Sequence, residues 1–198
     1  IGGSGNDRIV GDANNNVIST GAGDDSLTGG TGNDTLDGGS GHDIVDYATT
    51  ATGIIVDMSI VDAQGYSEVQ IGLERDLVRN IEEVAGSASA DRIIGDGEDN
   101  TIYGGGGADQ LSGGAGADFV DGGAGDDILY MSVDTENDTY IGGAGTDTFD
   151  AGSTSDSLFV DLVNGTLTGQ GTDEIYGIEV VIASSAADTI YGSAAVNT

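Results

Sequence analysis

The chain has 198 residues, with four basic side chains against 35 acidic ones and a net charge of −31. It carries no cysteine, proline or tryptophan but 37 glycines. Nucleic-acid binding is excluded because phosphate neutralisation needs clustered Lys or Arg, and thiolate metal sites, disulfides and cysteine nucleophiles are excluded with it; no apolar run exceeds four residues, where a spanning helix needs about 20.

High charge with few aromatics favours disorder, yet 37% of the residues are hydrophobic and their order is periodic. The opening IGGSGND lacks the charged and then apolar pattern of a secretory leader, so no signal peptide is expected in these residues. From Gly2 the first block (residues 1–46) reads GGSGNDRIV, GDANNNVIS, TGAGDDSLT, GGTGNDTLD and GGSGHDIVD. The sixth position is Asp7, Asn16, Asp25, Asp34 and Asp43, and the eighth is Ile9, Ile18, Leu27, Leu36 and Val45.

Residues 47–85 break the period. A second block (residues 86–156) then runs GSASADRII, GDGEDNTIY, GGGGADQLS, GGAGADFVD and GGAGDDILY, with sixth positions Asp91, Asn100, Asp109, Asp118 and Asp127. After a two-residue slip at Met131 to Glu136 the phase resumes at Asp138, Asp147 and Asp156. Residues 157–182 break it again, and a third block (183–198) starts at Asp188, with Asn197 nine residues later. The two breaks resemble each other: Ile55-Val56-Asp57-Met58 parallels Phe159-Val160-Asp161-Leu162. Asp76 to Val84 likewise parallels Asp173 to Val181. Their alternation and β-branched residues predict strands, read as wider coils that continue the same sheets. The chain reads as one elongated solenoid, a segment of a longer repetitive protein, and open β-ends would invite pairing with a neighbour.

Within one nonapeptide the first six positions read as a turn, since glycine permits the positive φ of a tight bend and close approach of the backbone to an ion. The last three read as a short strand, with the seventh and ninth residues outward and the apolar eighth inward. The consensus G-G-x-G-x-D-x-U-x, with U a large apolar residue, resembles the RTX (hemolysin-type) calcium-binding nonapeptide-repeat family. That resemblance implies an all-β fold, a right-handed parallel β-roll in which two repeats make one coil of 18 residues. Turns stacked on one side then come from repeats 18 residues apart, so that Asp7 faces Asp25, Asp25 faces Asp43, Asp91 faces Asp109 and Asp109 faces Asp127. Asn100 faces Asp118 on the opposite side.

The chemistry expected of these turns is ligation of a hard cation. Ca²⁺ takes six to eight oxygens, carboxylate mixed with carbonyl, in flexible geometry, whereas Mg²⁺ demands a tighter octahedron and keeps its waters. Without histidine clusters or thiols, transition metals are not expected. The candidate ligands are Asp7, Asp25, Asp34, Asp43, Asp91, Asn100, Asp109, Asp118, Asp127, Asp138, Asp147, Asp156 and Asp188. About eight to ten Ca²⁺ would reduce the net charge to roughly −11 to −15. One buried apolar side chain per nonapeptide contributes roughly 1.5–3 kcal/mol, whereas ordering nine backbones costs on the order of 9–18 kcal/mol. The metal-free chain is therefore expected to be largely unfolded, with calcium binding coupled to folding.

No catalytic set is legible. His42 is the sole histidine and occupies the fifth position of a turn. Glu82 and Glu83 are adjacent in a strand pattern and point to opposite faces, unlike a glycosidase pair. The G-x-G strings lack the lysine and the following helix of a P-loop. The outward third positions Ser4, Ala13, Ala22, Thr31 and Ser40 break the regular Thr/Asn row that ice binding needs. The expectation is a non-enzymatic, calcium-binding structural roll of a secreted or cell-surface bacterial protein, such as an adhesin stalk, surface layer or extracellular filament. The resemblance implies export by type I secretion and folding outside the cell. The alternative is an accessory module of a secreted exoenzyme with its catalytic domain elsewhere. The expected partners are calcium ions, flanking domains of the same protein and, through Ca²⁺, further copies of the chain; neither nucleic acid nor a membrane span is expected.

Overall fold

Glycine-rich turns leave only the end of each nonapeptide free to extend, so the strands are short and numerous. The computed structural model describes residues 2–193, within which the regular structure is entirely β. The first block supplies β1 (Arg8–Val10), β2 (Val17–Ala22), β3 (Ser26–Thr28), β4 (Thr35–Ser40) and β5 (Ile44–Asp46). The first break folds as β6 (Ile54–Asp57), β7 (Ser67–Ile71), β8 (Glu74–Arg79) and β9 (Glu83–Ala85). The second block gives β10 (Arg92–Ile94), β11 (Thr101–Gly106), β12 (Gln110–Ser112), β13 (Phe119–Ala124), β14 (Ile128–Tyr130), β15 (Thr139–Ala144) and β16 (Thr148–Asp150). The remainder forms β17 (Phe159–Asp161), β18 (Thr166–Thr168), β19 (Thr172–Tyr176), β20 (Val180–Ile182) and β21 (Thr189–Tyr191).

Successive repeat strands alternate between two sheets, one of 11 strands and one of 10. Within the blocks each strand pairs in parallel with the strand one coil away, as in Gln110↔Ile128 and Thr101↔Phe119. This is the parallel β-roll expected from the nonapeptide. The eighth positions, joined by Val56 and Val84 of the first break, form two facing ladders. In one sheet Leu27, Val45, Val84, Ile102, Val120 and Tyr140 are in register. In the other, Val56, Ile93, Leu111, Leu129 and Phe149 are. All of these are buried, and the flanking seventh and ninth residues are half-buried or exposed, as in β14 and β16. Tyr140 and Phe149 meet edge to face across the core at 4.9 Å.

The breaks stay in the sheets as wider coils, as between Asp34 and Asp76, 42 residues apart, and the extra length has a definite form. Each inserts an antiparallel meander. Strands β6, β7 and β8 lie between β10 and β4 in the 10-stranded sheet, and β17, β18 and β19 lie between β21 and β15 in the 11-stranded one. The physical reason is turn length. Ile71 pairs with Glu74 across Gly72-Leu73, with Gly72 at φ 60°, and a two-residue loop led by glycine can join only antiparallel strands. The first meander is fastened to the repeats by Arg79 of β8. Its guanidinium pairs with Asp37 of β4 at 2.6 Å and lies 4.5 Å over the Tyr66 ring.

Candidate metal centres in the glycine turns

The sixth-position side chains stitch the coils together. Oδ1 of Asp109 accepts the backbone amide of Asp91 at 2.8 Å, and the amide of Asp109 donates to Oδ1 of Asp127 at 2.8 Å. On the opposite side the amide of Asn100 donates to Asp118 at 2.9 Å, and that of Asp118 to Asp138 at 2.9 Å. The first block repeats the pattern from Asp7 to Asp25 and on to Asp43, and from Asn16 to Asp34, at 2.8–2.9 Å. The residues eighteen apart that the repeat phase pairs are therefore joined in space.

The second carboxylate oxygen behaves differently. Oδ2 of Asp25, Asp34, Asp43, Asp109, Asp118, Asp127 and Asp147 is buried with no hydrogen-bond partner. Native interiors rarely leave such an acceptor unpaired. No basic group serves them: the ion pairs among the described residues, Arg79–Asp37, Arg75–Glu68 and His42–Glu83, involve no sixth-position aspartate. The first-position glycine makes room for this oxygen. A Cβ on Gly104, Gly113 or Gly122 would collide with Oδ2 of Asp109, Asp118 or Asp127 of the same repeat. Carbonyl oxygens also face from turn to turn, since a Cβ on Gly123 or Gly125 would meet the carbonyl of Gly105 or Gly107.

Without a counter-ion this arrangement favours protonation. Burial, with neighbouring like charges, pushes the carboxyls of Asp109 and Asp118 up to about 7 despite the amide hydrogen bond each accepts. Asp34, Asp43, Asp127 and Asp147 are raised for the same first reason. Among the described residues no three His, Asp or Glu side chains form a ligand set by themselves. A cation in these turns would thus draw on two carboxylates at most and complete its shell with carbonyls. An all-oxygen donor set of that kind suits Ca²⁺, so the residues present fit the ion.

Not every predicted ligand has this form. Oδ2 of Asp7 accepts the Gly3 amide at 2.9 Å, and the Asp91 carboxylate is taken up by the Ser87 amide, the Ser87 hydroxyl and the Ile54 amide. Asp188 accepts the Leu158 amide at 2.8 Å and the Ser184 hydroxyl, the former holding its carboxyl below the usual range. Asp138 accepts the Tyr140 hydroxyl at 2.9 Å. In Asn100, Oδ1 takes the Asp96 amide and the buried Nδ2 has no partner. Asp156 is exposed, outside the ladder, and bonded to Gln170. Asn197 lies outside the described residues.

Four ladder members have no nonapeptide around them. Asp76 accepts the Asp34 amide at 2.9 Å and Asp173 the Asp138 amide at 3.1 Å, while Glu82 and Glu179 accept the amides of Asp43 and Asp147 at 2.8 and 3.0 Å. They stand at matching places in the twin breaks, which is the signal that identifies them. A second ladder uses the fifth position and runs the other way. The amides of Asp24, Asn33 and Thr146 donate to the side chains of Asn6, Asn15 and Asp126 in the preceding coil, at 2.9–3.0 Å. His42 belongs to it through its amide, which donates to Asp24.

The family model of the RTX calcium-binding nonapeptide repeat matches residues 1–36, 20–48, 85–120, 103–130, 133–167 and 176–198, well over half of the sequence. The chain belongs to this RTX family. A comparison with curated proteins found no match. Among solved structures, the extracellular lipase LipA from Serratia marcescens aligns over 90% of this chain at 16% identity, with a TM-score of 0.38. The chain spans 37% of the length of that lipase. The RTX nonapeptide is a calcium-binding repeat. No helix among the described residues is long and apolar enough to cross a membrane.

Proposed function

We propose that the chain is a structural calcium-binding roll of a secreted or cell-surface bacterial protein, which folds when calcium reaches it after export. The observation that carries this is the set of seven sixth-position carboxylate oxygens that are buried without a donor. Six of them sit in a cradle opened by the first-position glycine of the same repeat, which a methyl group would fill; at Asp25 that position is Thr20. The ligands we assign are Asp25, Asp34, Asp43, Asp109, Asp118, Asp127 and Asp147, with turn carbonyls completing each shell. When bound, the ion supplies positive charge and six to eight oxygen contacts. The chain supplies the frame: Oδ1 of each aspartate fixes the neighbouring coil, which aims Oδ2 into the turn.

The role follows from linkage. Metal binding to a site that exists only in the folded chain is folding free energy. A net charge of −31 opposes compaction where calcium is scarce, as in a bacterial cytoplasm, and the roll stiffens outside. A stalk, surface layer or filament uses that property. Sedimentation velocity in millimolar CaCl₂ and in excess chelator tests it. The sedimentation coefficient should rise on calcium addition as an expanded chain becomes a rod; a coefficient that stays the same and already indicates a folded particle in chelator refutes it.

A further inference from the structure

Two ladder carboxylates end on tyrosine. Oδ2 of Asp76 accepts the hydroxyl of Tyr47 at 3.1 Å, and Oδ2 of Asp138 accepts that of Tyr140 at 2.9 Å. Both rings are buried, Tyr47 3% exposed and Tyr140 fully enclosed. In both cases Oδ1 still performs its ladder task, accepting the amide of Asp34 or of Asp118. These two aspartates thus differ from the seven assigned ligands only at the oxygen that those leave bare.

The two positions share a second property. Both lie where the coil departs from 18 residues: Asp34 to Asp76 spans 42, across the inserted meander, and Asp118 to Asp138 spans 20. Tyr140 is also held on its far side, since its hydroxyl accepts the Ser132 amide at 3.0 Å and contacts the Ser132 hydroxyl at 3.1 Å. Ser132 belongs to the two-residue slip that lengthens this coil. Tyr47, directly after β5, reaches Asp76 with its hydroxyl from 29 residues away. A phenolic hydroxyl donates a charge-assisted hydrogen bond to a carboxylate, and a rigid ring delivers it at little entropic cost.

We infer that Tyr47 and Tyr140 take the place of the ion at Asp76 and Asp138. These two turns then hold no calcium and are closed by side chains of the protein itself, unlike Asp147, which also lies 20 residues from its ladder partner but keeps a bare Oδ2. The inference rests on the calcium reading of the other turns and divides the carboxylates into ion-held and tyrosine-held classes. In the tyrosine-held class the register of the insertion is set without metal, by contacts available as soon as the strands meet.

The test is the number of calcium ions bound at saturation, from equilibrium dialysis with elemental analysis, for the whole chain and its variants. Asp109→Asn should lose one ion, whereas Asp76→Asn and Asp138→Asn should keep the wild-type number, Oδ1 keeping the ladder amide and Nδ2 facing the tyrosine oxygen as a donor. Loss of an ion from Asp76→Asn or Asp138→Asn, on the scale of Asp109→Asn, overturns the inference. Should either asparagine variant not fold, judged by circular dichroism in saturating calcium, Tyr47→Phe and Tyr140→Phe decide. Each bares one Oδ2 and should gain one ion; an unchanged or smaller number overturns the inference. If Asp109→Asn loses nothing, the calcium assignment of the regular turns fails instead, and the two failures are distinguishable.

Discussion

Asp109 gives one carboxylate oxygen to the amide of Asp91 at 2.8 Å and keeps the other buried without a donor. The first oxygen is structural whether or not an ion is present. The second is a liability until a cation reaches it, because an unpaired buried acceptor costs about 1–3 kcal/mol, and more when charged. Asp118 stands in the same position toward Asn100. Asp118→Asn can keep the Oδ1 bond to the Asn100 amide while placing an amino group where the ion would lie. The calcium concentration at the midpoint of folding should rise about three- to tenfold, a shift of up to about 1.4 kcal/mol. An unchanged midpoint in a calcium titration followed by circular dichroism would count against Asp118 as a ligand.

Acidification should act oppositely on the metal-free and calcium-loaded chains. In the metal-free fold burial pushes Asp109, Asp118 and Asp173 up to about 7 and Asp76 to about 6, against an ordinary value of 3.8. Raised carboxyls bind more protons folded than unfolded, so this contribution to stability is complete below about pH 4 and is lost as pH rises through about 7. In chelator, β signal should therefore grow as the pH falls from about 8 to about 5. With calcium, protons compete for the same oxygens, and apparent affinity should weaken below about pH 7. Circular dichroism at fixed calcium and in chelator across this range reads both effects, and parallel pH trends would contradict the assignment.

Glycine requirements should be sharply local. Gly123 has φ 93°, and a Cβ there would meet the carbonyl of Gly105. Gly123→Ala should destabilise the calcium-loaded roll by about 3 kcal/mol, combining backbone strain with overpacking. At Gly97 a Cβ would have no atom within 4 Å, and the backbone there has no positive φ. Gly97→Ala should be neutral or stabilising by up to about 1 kcal/mol. Thermal denaturation of both variants in saturating calcium checks the contrast.

The fifth-position ladder should hold coils together independently of the ion. Oδ1 of Asp126 accepts the Thr146 amide at 2.9 Å, at an exposed site. Asp126→Ala should cost roughly 0.5–1.5 kcal/mol with no change in calcium stoichiometry. Asp126→Asn should restore most of that stability, because its carbonyl oxygen can accept the same amide. Loss of an ion from Asp126→Ala would place Asp126 among the ligands instead.

The sequence makes the regular coils legible because their determinants recur locally. Position eight packs and position six meets its equivalent 18 residues on, as Asn16 meets Asp34 and Asp91 meets Asp109. The meanders are harder to read because alternation predicts strands without direction; the decisive residue is Gly72, whose positive φ closes a two-residue hairpin. The ladder carboxylates of the breaks are hidden by separation, since Asp76 serves Asp34 across 42 residues and Glu82 serves Asp43 across 39. The unspecified fifth position of the repeat conceals a ladder for another reason. Asn6, Asp24 and Asp126 act through Oδ1 alone, and a column holding both Asn and Asp looks unconstrained until the acceptor they share is seen.

The central claim is that calcium completes this fold. A far-UV circular dichroism titration of the chain with CaCl₂, with MgCl₂ at equal ionic strength as control, tests it most directly. A cooperative change from coil to β is expected with calcium alone, because Mg²⁺ resists dehydration and an irregular carbonyl shell. A fully β chain in chelator at neutral pH, or an equal response to magnesium, would contradict it and leave the turn aspartates as a merely acidic surface.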